Sequence, residues 1–424
     1  MKIRIHRGAH EVGGNCVELA SQGQRIVLDL GKPLTAAWGE EVPLPAVDGL
    51  ADGGDPTLLG VFISHGHQDH WGLMPQVHPT VPRFVGKGAA DILRAAQWWG
   101  SGIDLEETGH FDHRVPMTVG PFTVTPFLND HSAFDAYSLL IQADGQSLFY
   151  TGDIRGHGRK GSIFEQLLNE PPRDVDVLLC EGTNVHPEGR GGEKGSLSEA
   201  EVERELAQTL RATDGLVVVL SSPQNIDRVV TTYRAALQAD RDLALDLYSC
   251  DVVAGTGLAT IPQLGADWPR VHAYLPLHQR IKVKNAAAFE KTQAVRPYRI
   301  YDERLSENPE RYVLFGSFQQ DLVRLLRSAS VKVGAVVWSQ WEGYLEKASG
   351  VKLQETLKRY DVPLIQHHTS GHATPADLER LISAINPAAV VPVHTEHPGE
   401  FEGITSDVDL TIKADGHWWD VNSG

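Results

Sequence analysis

The sequence is poor in cysteine and in long apolar runs. It has three cysteines in 424 residues, and none of them forms a CxxC pair, which excludes a disulfide framework and favours a reducing compartment. No apolar run approaches the roughly 18 residues that cross a bilayer, and the first residues contain no apolar segment like that of a signal peptide. We therefore expect a soluble, cytoplasmic protein with no membrane partner.

Basic residues are also scarce. There are 38 Lys and Arg residues against 55 Asp and Glu, which gives a formal net charge of −17. This excludes a protein coated with positive charge for nucleic acid, so a polyanion would need a local basic surface. Histidine is abundant by contrast, with 19 residues, and the positions of these histidines indicate the function.

Three histidines and an aspartate lie in one short loop, Ser64-His65-Gly66-His67-Gln68-Asp69-His70, directly after an apolar run typical of a buried strand. Imidazole nitrogens suit zinc and similar divalent ions, and a carboxylate adds an anionic ligand. Since alternate residues of an extended loop share a side, His65 and His67 can bind one ion. Asp69 and His70 then face a second position.

One loop does not complete two coordination shells, so further ligands should follow other strands. His131 comes after the apolar run 121–127, Asp153 after 147–151, and His394 after 389–393. Each of them alone could equally be an ordinary polar residue with satisfied hydrogen bonds. Their shared position after an apolar strand favours metal binding for the set.

With these residues the chain resembles the metallo-β-lactamase superfamily and, within it, the β-CASP nucleases, most closely the ribonuclease J family. The family's first motif is matched by Asp29, and the HxHxDH loop and the later ligands match in order. The β-CASP nucleases have three further features that this sequence matches. They are an acidic residue, here Glu181; a histidine, here His372 in Ser370-Gly371-His372-Ala373; and a last metal ligand, here His394 in Pro392-Val393-His394-Thr395-Glu396. The resemblance implies two divalent ions per chain, zinc or manganese, held by His65, His67, Asp69, His70, His131, Asp153 and His394.

The spacing of the ligands predicts the domain organisation. Asp153 and His394 would meet at one metal site although they lie 394 − 153 = 241 residues apart. The strand–helix alternation between them therefore reads as an insertion. We predict an α/β protein: a metallo-β-lactamase αββα sandwich formed by residues 1–190 and 346–424, with an α/β β-CASP domain inserted at 191–345.

The chemistry of such a site predicts two-metal hydrolysis of phosphodiester bonds, in which Asp153 bridges the ions. The predicted catalytic residues are His372, Glu181, Asp69 and Asp153. His372 is expected to protonate the leaving oxygen while Glu181 orients it. Asp29 is expected to hold a ligand histidine in the correct tautomer.

The resemblance implies single-stranded RNA as the partner, with a 5′-monophosphate end, cleaved as a 5′-to-3′ exonuclease, an endonuclease or both. It suggests substrate contacts at Ser221, Ser222, Ser317, Ser370, Gly371 and Ala373, and the basic stretch 270–300, with Lys282 and Lys284, could follow the phosphates or be a solvated face. Trp338 and Trp341 could stack on bases or belong to a core.

Three alternatives stay open: a β-CASP deoxyribonuclease, a thioester or lactam hydrolase of the same fold, and a non-catalytic relative. The matched His372 segment favours RNA. A lactam hydrolase would lack the insertion, and a scaffold would have lost ligands. Only 30 residues follow His394, so we expect the usual C-terminal domain of ribonuclease J to be absent, which leaves the oligomeric state open.

Overall fold

The computed structural model of the protein describes residues 1–36, 40–187, 197–327, 331–405 and 408–421. The chain divides into two compact units. The first unit comprises Met1–Arg94, Ile103–Ser196 and Gly371–Gly424, and the second unit comprises Ala95–Gly102 and Leu197–Ser370. A long segment is thus inserted into the first unit.

The described residues form twenty-one strands. They are β1 (Lys2–Arg7), β2 (Cys16–Ser21), β3 (Gln24–Leu28), β4 (Leu58–Ile63), β5 (Arg83–Gly86), β6 (Gly109–Phe111), β7 (Met117–Val119), β8 (Phe122–Leu128), β9 (Tyr137–Ala143), β10 (Gln146–Tyr150), β11 (Val177–Glu181), β12 (Leu216–Leu220), β13 (Asp242–Leu245), β14 (Val271–Tyr274), β15 (Arg299–Ile300), β16 (Tyr312–Gly316), β17 (Val333–Trp338), β18 (Leu364–Gln366), β19 (Ala389–Val393), β20 (Asp409–Leu410) and β21 (Trp418–Asp420).

Twelve α-helices lie within the same described ranges. They are α1 (Gln68–Trp71), α2 (Lys87–Gln97), α3 (Gly161–Asn169), α4 (Glu199–Ala212), α5 (Ile226–Gln238), α6 (Leu247–Gly255), α7 (Leu277–Asn285), α8 (Phe289–Ala294), α9 (Asp302–Glu307), α10 (Gln319–Arg327), α11 (Ala348–Arg359) and α12 (Pro375–Ile385). None of these helices combines the length and the apolar character needed to cross a membrane.

Two seven-stranded sheets pack face to face in the first unit. Their strand orders are β21-β1-β2-β3-β4-β5-β6 and β20-β19-β11-β10-β9-β8-β7. One buried cluster joins them, with Ile5, Leu28 and Phe62 from the first sheet and Leu139 and Leu179 from the second. Strands such as β11 are buried along their whole length, which explains why they read as continuous apolar runs.

Helices cover the outer face of each sheet. Leu93 of α2 packs in one cluster with Ile63, and Phe164 of α3 and Leu381 of α12 pack with Leu178. The layers therefore run helix, sheet, sheet, helix. This is the αββα sandwich that the sequence predicted.

The second unit contains a third sheet, of order β15-β14-β13-β16-β12-β17-β18, in which all neighbouring strands are parallel. Leu322 of α10 and Leu353 of α11 pack against Val218 on one of its faces. Helix α4 begins with a capping box, in which Ser198 and Glu201 bond each other's backbone.

The second unit differs from the predicted insertion at its ends. It extends to Ser370 rather than to residue 345, because β18 pairs with β17 and α11 packs under the same sheet. Residues 95–102, predicted as part of the first domain, group with the second unit. The predicted boundary at 190–191 lies outside the described residues.

Candidate metal centre

The predicted ligands follow the carboxyl ends of strands in both sheets of the first unit. Asp29 follows β3, the histidine loop follows β4, His131 follows β8, Asp153 follows β10, and His394 follows β19. Glu181 is the last residue of β11. The strands are held by the sandwich core, so the side chains at their ends are brought together on a rigid support.

Two of these positions have unusual backbone conformations. Asp29 and His394 adopt φ angles of +56° and +52°, a region that residues other than glycine rarely occupy. The amide of Asp29 donates to the carbonyl of Phe62 at 2.9 Å, and that of His394 donates to the carbonyl of Gly8 at 2.7 Å. These bonds fix the turns that direct both side chains, and such strained positions are typical of functional sites.

The histidine loop packs closely against the backbone of Gly31. A Cβ atom at this position would lie 1.6 Å from the carbonyl oxygen of Asp69, so no other residue fits without moving the loop. The backbone of Asn15 bonds both the histidine loop and Gly31. Its N–H donates to the Asp69 carbonyl at 3.1 Å, and its carbonyl accepts from the Gly31 amide at 2.9 Å.

The predicted ligands form two groups whose donor atoms lie within 4.8 Å of one another, and a third such group joins Asp153 and His394 to His372. The His65 group contains His65, His67, His131 and Asp153, and the His70 group contains Asp69, His70 and His394. Asp153 also faces the second group. Its Oδ2 atom lies 3.5 Å from His65 Nε2 and 3.2 Å from His70 Nε2, and its Oδ1 atom lies 3.4 Å from His394 Nδ1.

The donor atoms of these groups fit a divalent cation. Within the described residues, six of them are buried without a hydrogen-bond partner: Nε2 of His65, Nε2 of His70, both carboxylate oxygens of Asp153 and both ring nitrogens of His394. Buried polar atoms in proteins are nearly always hydrogen-bonded. Imidazole nitrogens and carboxylate oxygens are the ligands that zinc prefers, so a bound divalent ion would satisfy them.

Hydrogen bonds on the far side of two rings set their tautomers. His131 Nδ1 faces the carbonyl of Gly371, which can only accept, so Nδ1 carries the hydrogen and the Nε2 lone pair faces Asp153 Oδ2 at 3.8 Å. His70 Nδ1 lies 2.8 Å from Asp29 Oδ2, which leaves its Nε2 atom for the centre. Asp29 thus contacts the ring of a predicted ligand, and its role in fixing the tautomer of that ring stays a prediction.

Most of the ligand histidines are neutral. Burial lowers the pKa of His65, His131 and His394 below the usual value and lowers the pKa of His67 to about 4, so these four rings are neutral at neutral pH, as ligands must be. Burial acts in the same direction on His70, but Asp153 and Asp29 outweigh it and raise the pKa of His70 well above its usual value, so this ring has to release a proton to bind a metal. Burial alone would raise the pKa of Asp153, but His394 and His70, when they are protonated, outweigh it and hold the pKa well below its usual range.

Asp29 is itself held by a buried network that the sequence did not reveal. Its Oδ1 atom accepts from the Ser64 amide at 2.7 Å, and its Oδ2 atom accepts from the Ser64 hydroxyl at 2.8 Å and from the Tyr150 hydroxyl at 2.7 Å. Burial and the charge of Asp29 raise the pKa of Tyr150 well above its usual value. The Tyr150 hydroxyl thus stays protonated and donates to Asp29.

His372 lies beside this centre with Glu181. Its Nδ1 atom is 3.6 Å from Glu181 Oε2 and 3.7 Å from Asp153 Oδ2. Its side chain is 20% exposed, whereas those of Glu181 and Asp153 are buried, so His372 can reach a molecule outside the centre. Burial lowers its pKa, but Glu181 and Asp153 outweigh this effect and raise the pKa of His372 to about 9.

Two residues form hydrogen bonds with the backbone of the His372 loop. Glu181 Oε1 accepts from the Ala373 amide at 3.1 Å, and Asn184 donates to the carbonyls of His372 and Ala373, both at 3.0 Å. Asn184 was missed in the sequence although it follows the same strand as Glu181. No local pattern marks Asn184, because its role depends on a loop 188 positions later in the chain.

The substrate residues predicted from the resemblance lie in different places. Gly371 and Ala373 belong to the His372 loop, and Ser370 is the last residue of the second unit. Ser221, Ser222 and Ser317 line a cavity of about 410 Å³ in the second unit, which we call the serine cavity. This cavity lies at the carboxyl edge of the parallel sheet, where such sheets usually bind ligands.

The basic stretch 270–300 does not form one uniform face. Arg270 pairs with Asp242 at 2.6 Å, and Lys291 pairs with Asp251 at 2.6 Å. Lys282 Nζ lies 5.1 Å from the ring centre of Trp98, and Lys284 is exposed on α7. Neither Lys282 nor Lys284 lines the serine cavity.

Comparison with known proteins finds two family models that match parts of the chain. Residues 43–221 match the beta-lactamase superfamily domain, and residues 365–399 match the Zn-dependent metallo-hydrolase RNA specificity domain. A solved protein of unknown function from Enterococcus faecalis has 20% sequence identity and a TM-score of 0.78, with 99% of each chain covered. The metallo-β-lactamase fold predicted from the motifs is confirmed.

The chain is similar to curated ribonuclease J proteins. It is 23% identical to the Helicobacter pylori protein over 411 residues, which cover 94% of this chain and 56% of that protein. It is 24% identical to the Sinorhizobium meliloti protein over 418 residues, which cover 92% of this chain and 66% of that protein. The chain thus spans little more than half the length of the first of these relatives, and the predicted resemblance to ribonuclease J is confirmed.

The Tyr150 network generates a test of the centre. We expect Tyr150→Phe to lower the zinc affinity of the His70 group by about 10-fold, because outer partners of metal-binding histidines typically contribute 10- to 100-fold. The affinity of the His65 group should change little. Titration of the metal-free protein against a competing chelator measures both. Tyr137→Phe is the control, since Tyr137 lies in the same core and its hydroxyl bonds the carbonyl of Phe111. An equal loss in both variants would contradict the assignment.

Proposed function

We propose that this chain, which has the metallo-β-lactamase fold and is similar to ribonuclease J over most of its length, is a metal-dependent ribonuclease that hydrolyses phosphodiester bonds of single-stranded RNA. The observation that supports this most directly is Asp153, which faces both donor groups while His372 and Glu181 stand beside it. The His372 loop falls within the match to an RNA specificity domain, which favours RNA over DNA and over small thioester or lactam substrates.

The two donor groups support two divalent ions per chain, zinc or manganese, with Asp153 shared between them. When bound, such ions acidify water at neutral pH and neutralise negative charge on a phosphate. The residues of the chain set the orientation and the protonation of the ligand rings. Asp29 and the Gly371 carbonyl bond the Nδ1 atoms of His70 and His131, which leaves the Nε2 atoms of these rings toward the centre, and burial keeps His65 and His394 neutral.

His372 is proposed to donate the proton that the leaving oxygen needs. Its side chain is 20% exposed, whereas the side chains of four ligand histidines, His65, His70, His131 and His394, are 0% exposed, so it can contact a substrate that these ligands cannot reach. Glu181 and Asn184 fix its loop. Glu181 also stabilises the protonated ring by its charge.

The serine cavity is proposed to bind the 5′-monophosphate end of RNA. Its lining includes Ser221, whose hydroxyl donates to the Ser339 carbonyl at 3.3 Å, and offers the hydroxyl groups of Ser222 and Ser317 together with His278 and Lys347, which are donors suited to phosphate oxygens. The amide of Ser317 is already bonded to Asp246 at 2.8 Å, so the side chains rather than this amide are the donors. A pocket for one phosphate favours 5′-to-3′ exonuclease activity.

The two-metal proposal predicts the metal content of the protein. We expect about two divalent ions per chain, since seven ligands exceed what one tetrahedral ion uses. Asp69→Ala should lose about one ion and keep most of the other, because Asp69 belongs to the His70 group alone. Elemental analysis after chelator-free purification measures this, and Asp91→Ala on α2 is the control. One ion or fewer in the intact protein would overturn the proposal.

The cavity predicts how the end of the substrate controls the rate. A 5′-monophosphate RNA should be degraded from that end to mononucleotides, and a 5′-triphosphate should slow the reaction because the pocket accepts one phosphate. End-labelled RNA and DNA of matched sequence with different 5′ groups test this together. Equal rates on both RNA ends would indicate an endonuclease, and faster cleavage of the DNA would indicate a deoxyribonuclease.

The proposed roles of His372 and His394 predict different losses. His372→Ala should keep its metals and bind RNA yet turn over about 10²- to 10⁴-fold more slowly, the usual effect of removing a general acid. A substrate with a better leaving group should recover part of this loss. His394→Ala should lose metal, and no leaving group should restore its activity. Loss of metal in His372→Ala, or no recovery with the activated substrate, would show that His372 is not the acid.

A further inference from the structure

Trp341 is an exposed tryptophan in an unusual setting. Its side chain and backbone are 61% exposed, whereas Trp338, three residues earlier, is 1% exposed and lies in the core of the second unit. The sequence left open whether these two residues stack on bases or pack in a core. The structure assigns Trp338 to the core and leaves the large apolar ring of Trp341 in contact with water, where it gains little hydrophobic stabilisation.

The exposed ring is nevertheless held in place. A Cβ atom added to Gly343 would lie 2.4 Å from Cη2 of the Trp341 ring, so the ring lies directly over a glycine that leaves it room. The Tyr344 ring packs against it edge to face, with centroids 5.4 Å apart. The Trp341 carbonyl accepts from Trp338 Nε1 at 3.2 Å. The ring is therefore ordered before any ligand binds.

This aromatic pair borders the serine cavity. Tyr344, which contacts Trp341, lines that cavity together with Gln340 and Lys347. Lys347 Nζ lies 5.0 Å from the centre of the Tyr344 ring, so a positive charge accompanies the aromatic surface. Aromatic rings beside a cationic group that binds phosphate are the elements with which proteins bind single-stranded nucleic acid.

We infer that Trp341 and Tyr344 form a stacking platform for a nucleobase near the 5′ end of RNA whose terminal phosphate lies in the serine cavity. The inference rests on the proposed function and adds a second binding element to it. Since every base has a flat aromatic face, the platform tolerates any sequence. It distinguishes an RNA end that carries bases from a phosphate alone.

The test measures binding rather than cleavage. The probes are 5′-monophosphate RNAs with phosphorothioate linkages at the 5′ end to prevent degradation, and with an abasic nucleotide at the first, second or third position. We expect Trp341→Ala to weaken binding of the full RNA by about 5- to 150-fold, the usual range for one stacked base. For one of the three abasic RNAs the variant and the parent protein should bind equally. Fluorescence anisotropy of a 3′ label measures the affinities.

Two further variants separate stacking from general damage. Gly343→Ala keeps the indole but displaces it, so it should show the same dependence on the abasic position. Trp418→Ala removes another exposed tryptophan, on β21 of the first unit, and should bind like the parent. Unchanged binding in Trp341→Ala, or an equal loss for every abasic RNA, would overturn the platform alone. Failure of the parent protein to bind the RNAs would overturn the proposed function as well.

Discussion

The buried carboxylate of Asp153 is the constraint around which the first unit is organised. A carboxylate without compensation is costly to bury, since its charge loses the stabilisation of water. Here both of its oxygens face imidazole nitrogens of three histidines that follow two different strands, at 3.2 to 3.5 Å. Neither oxygen has a hydrogen-bond partner among the described residues. Such a carboxylate is stable only when positive charge lies beside it, and the two donor groups can hold that charge.

The sandwich supplies the rigidity that this arrangement needs. Ligands separated by hundreds of residues must meet within a few ångströms, so their strands must be fixed in register. Strands β10, β11 and β19 lie side by side and parallel, which places Asp153, Glu181 and His394 along one edge. The other sheet supplies Asp29 and the histidine loop, and the shared apolar cluster joins the two sheets. The core thereby fixes the distances between donor atoms, as catalysis by preorganised groups requires.

Much of this site could be predicted from sequence because its signals are local. The HxHxDH loop is contiguous, and each later ligand directly follows an apolar strand. The supporting residues carry no local signal. Tyr150 looks like any strand residue until the fold brings it to Asp29, 121 positions away. Asn184 acquires its role only through the carbonyl of His372, 188 positions later.

The boundaries of the second unit and the burial of its tryptophans could not be predicted either, because they too depend on contacts that leave no local signal in the sequence. Whether β18 belongs to the insertion depends on its pairing with β17, which periodicity does not reveal. Residues 95–102 lie within the range 1–190 that was predicted to belong to the first domain. In the structure Trp99 of this segment donates to Asp251 at 2.8 Å and packs on Tyr248. Trp338 and Trp341 lie only three positions apart in the sequence. Their different packing in the structure makes Trp338 a core residue and leaves Trp341 exposed.

The charge of the chain indicates how RNA would be recognised. With a net charge of −17, the protein repels a polyanion at long range, and the most basic stretch is partly neutralised by its own ion pairs. Binding therefore has to rely on short-range contacts that act only once the substrate has arrived. Hydroxyl groups in a cavity, one lysine beside an aromatic pair and a stacked base are contacts of this kind. In the proposed function they would act on the end of a strand rather than along its length, because an end alone offers a terminal phosphate and an unstacked base together. A recognition surface built in this way would select an RNA by its terminus and disregard its sequence.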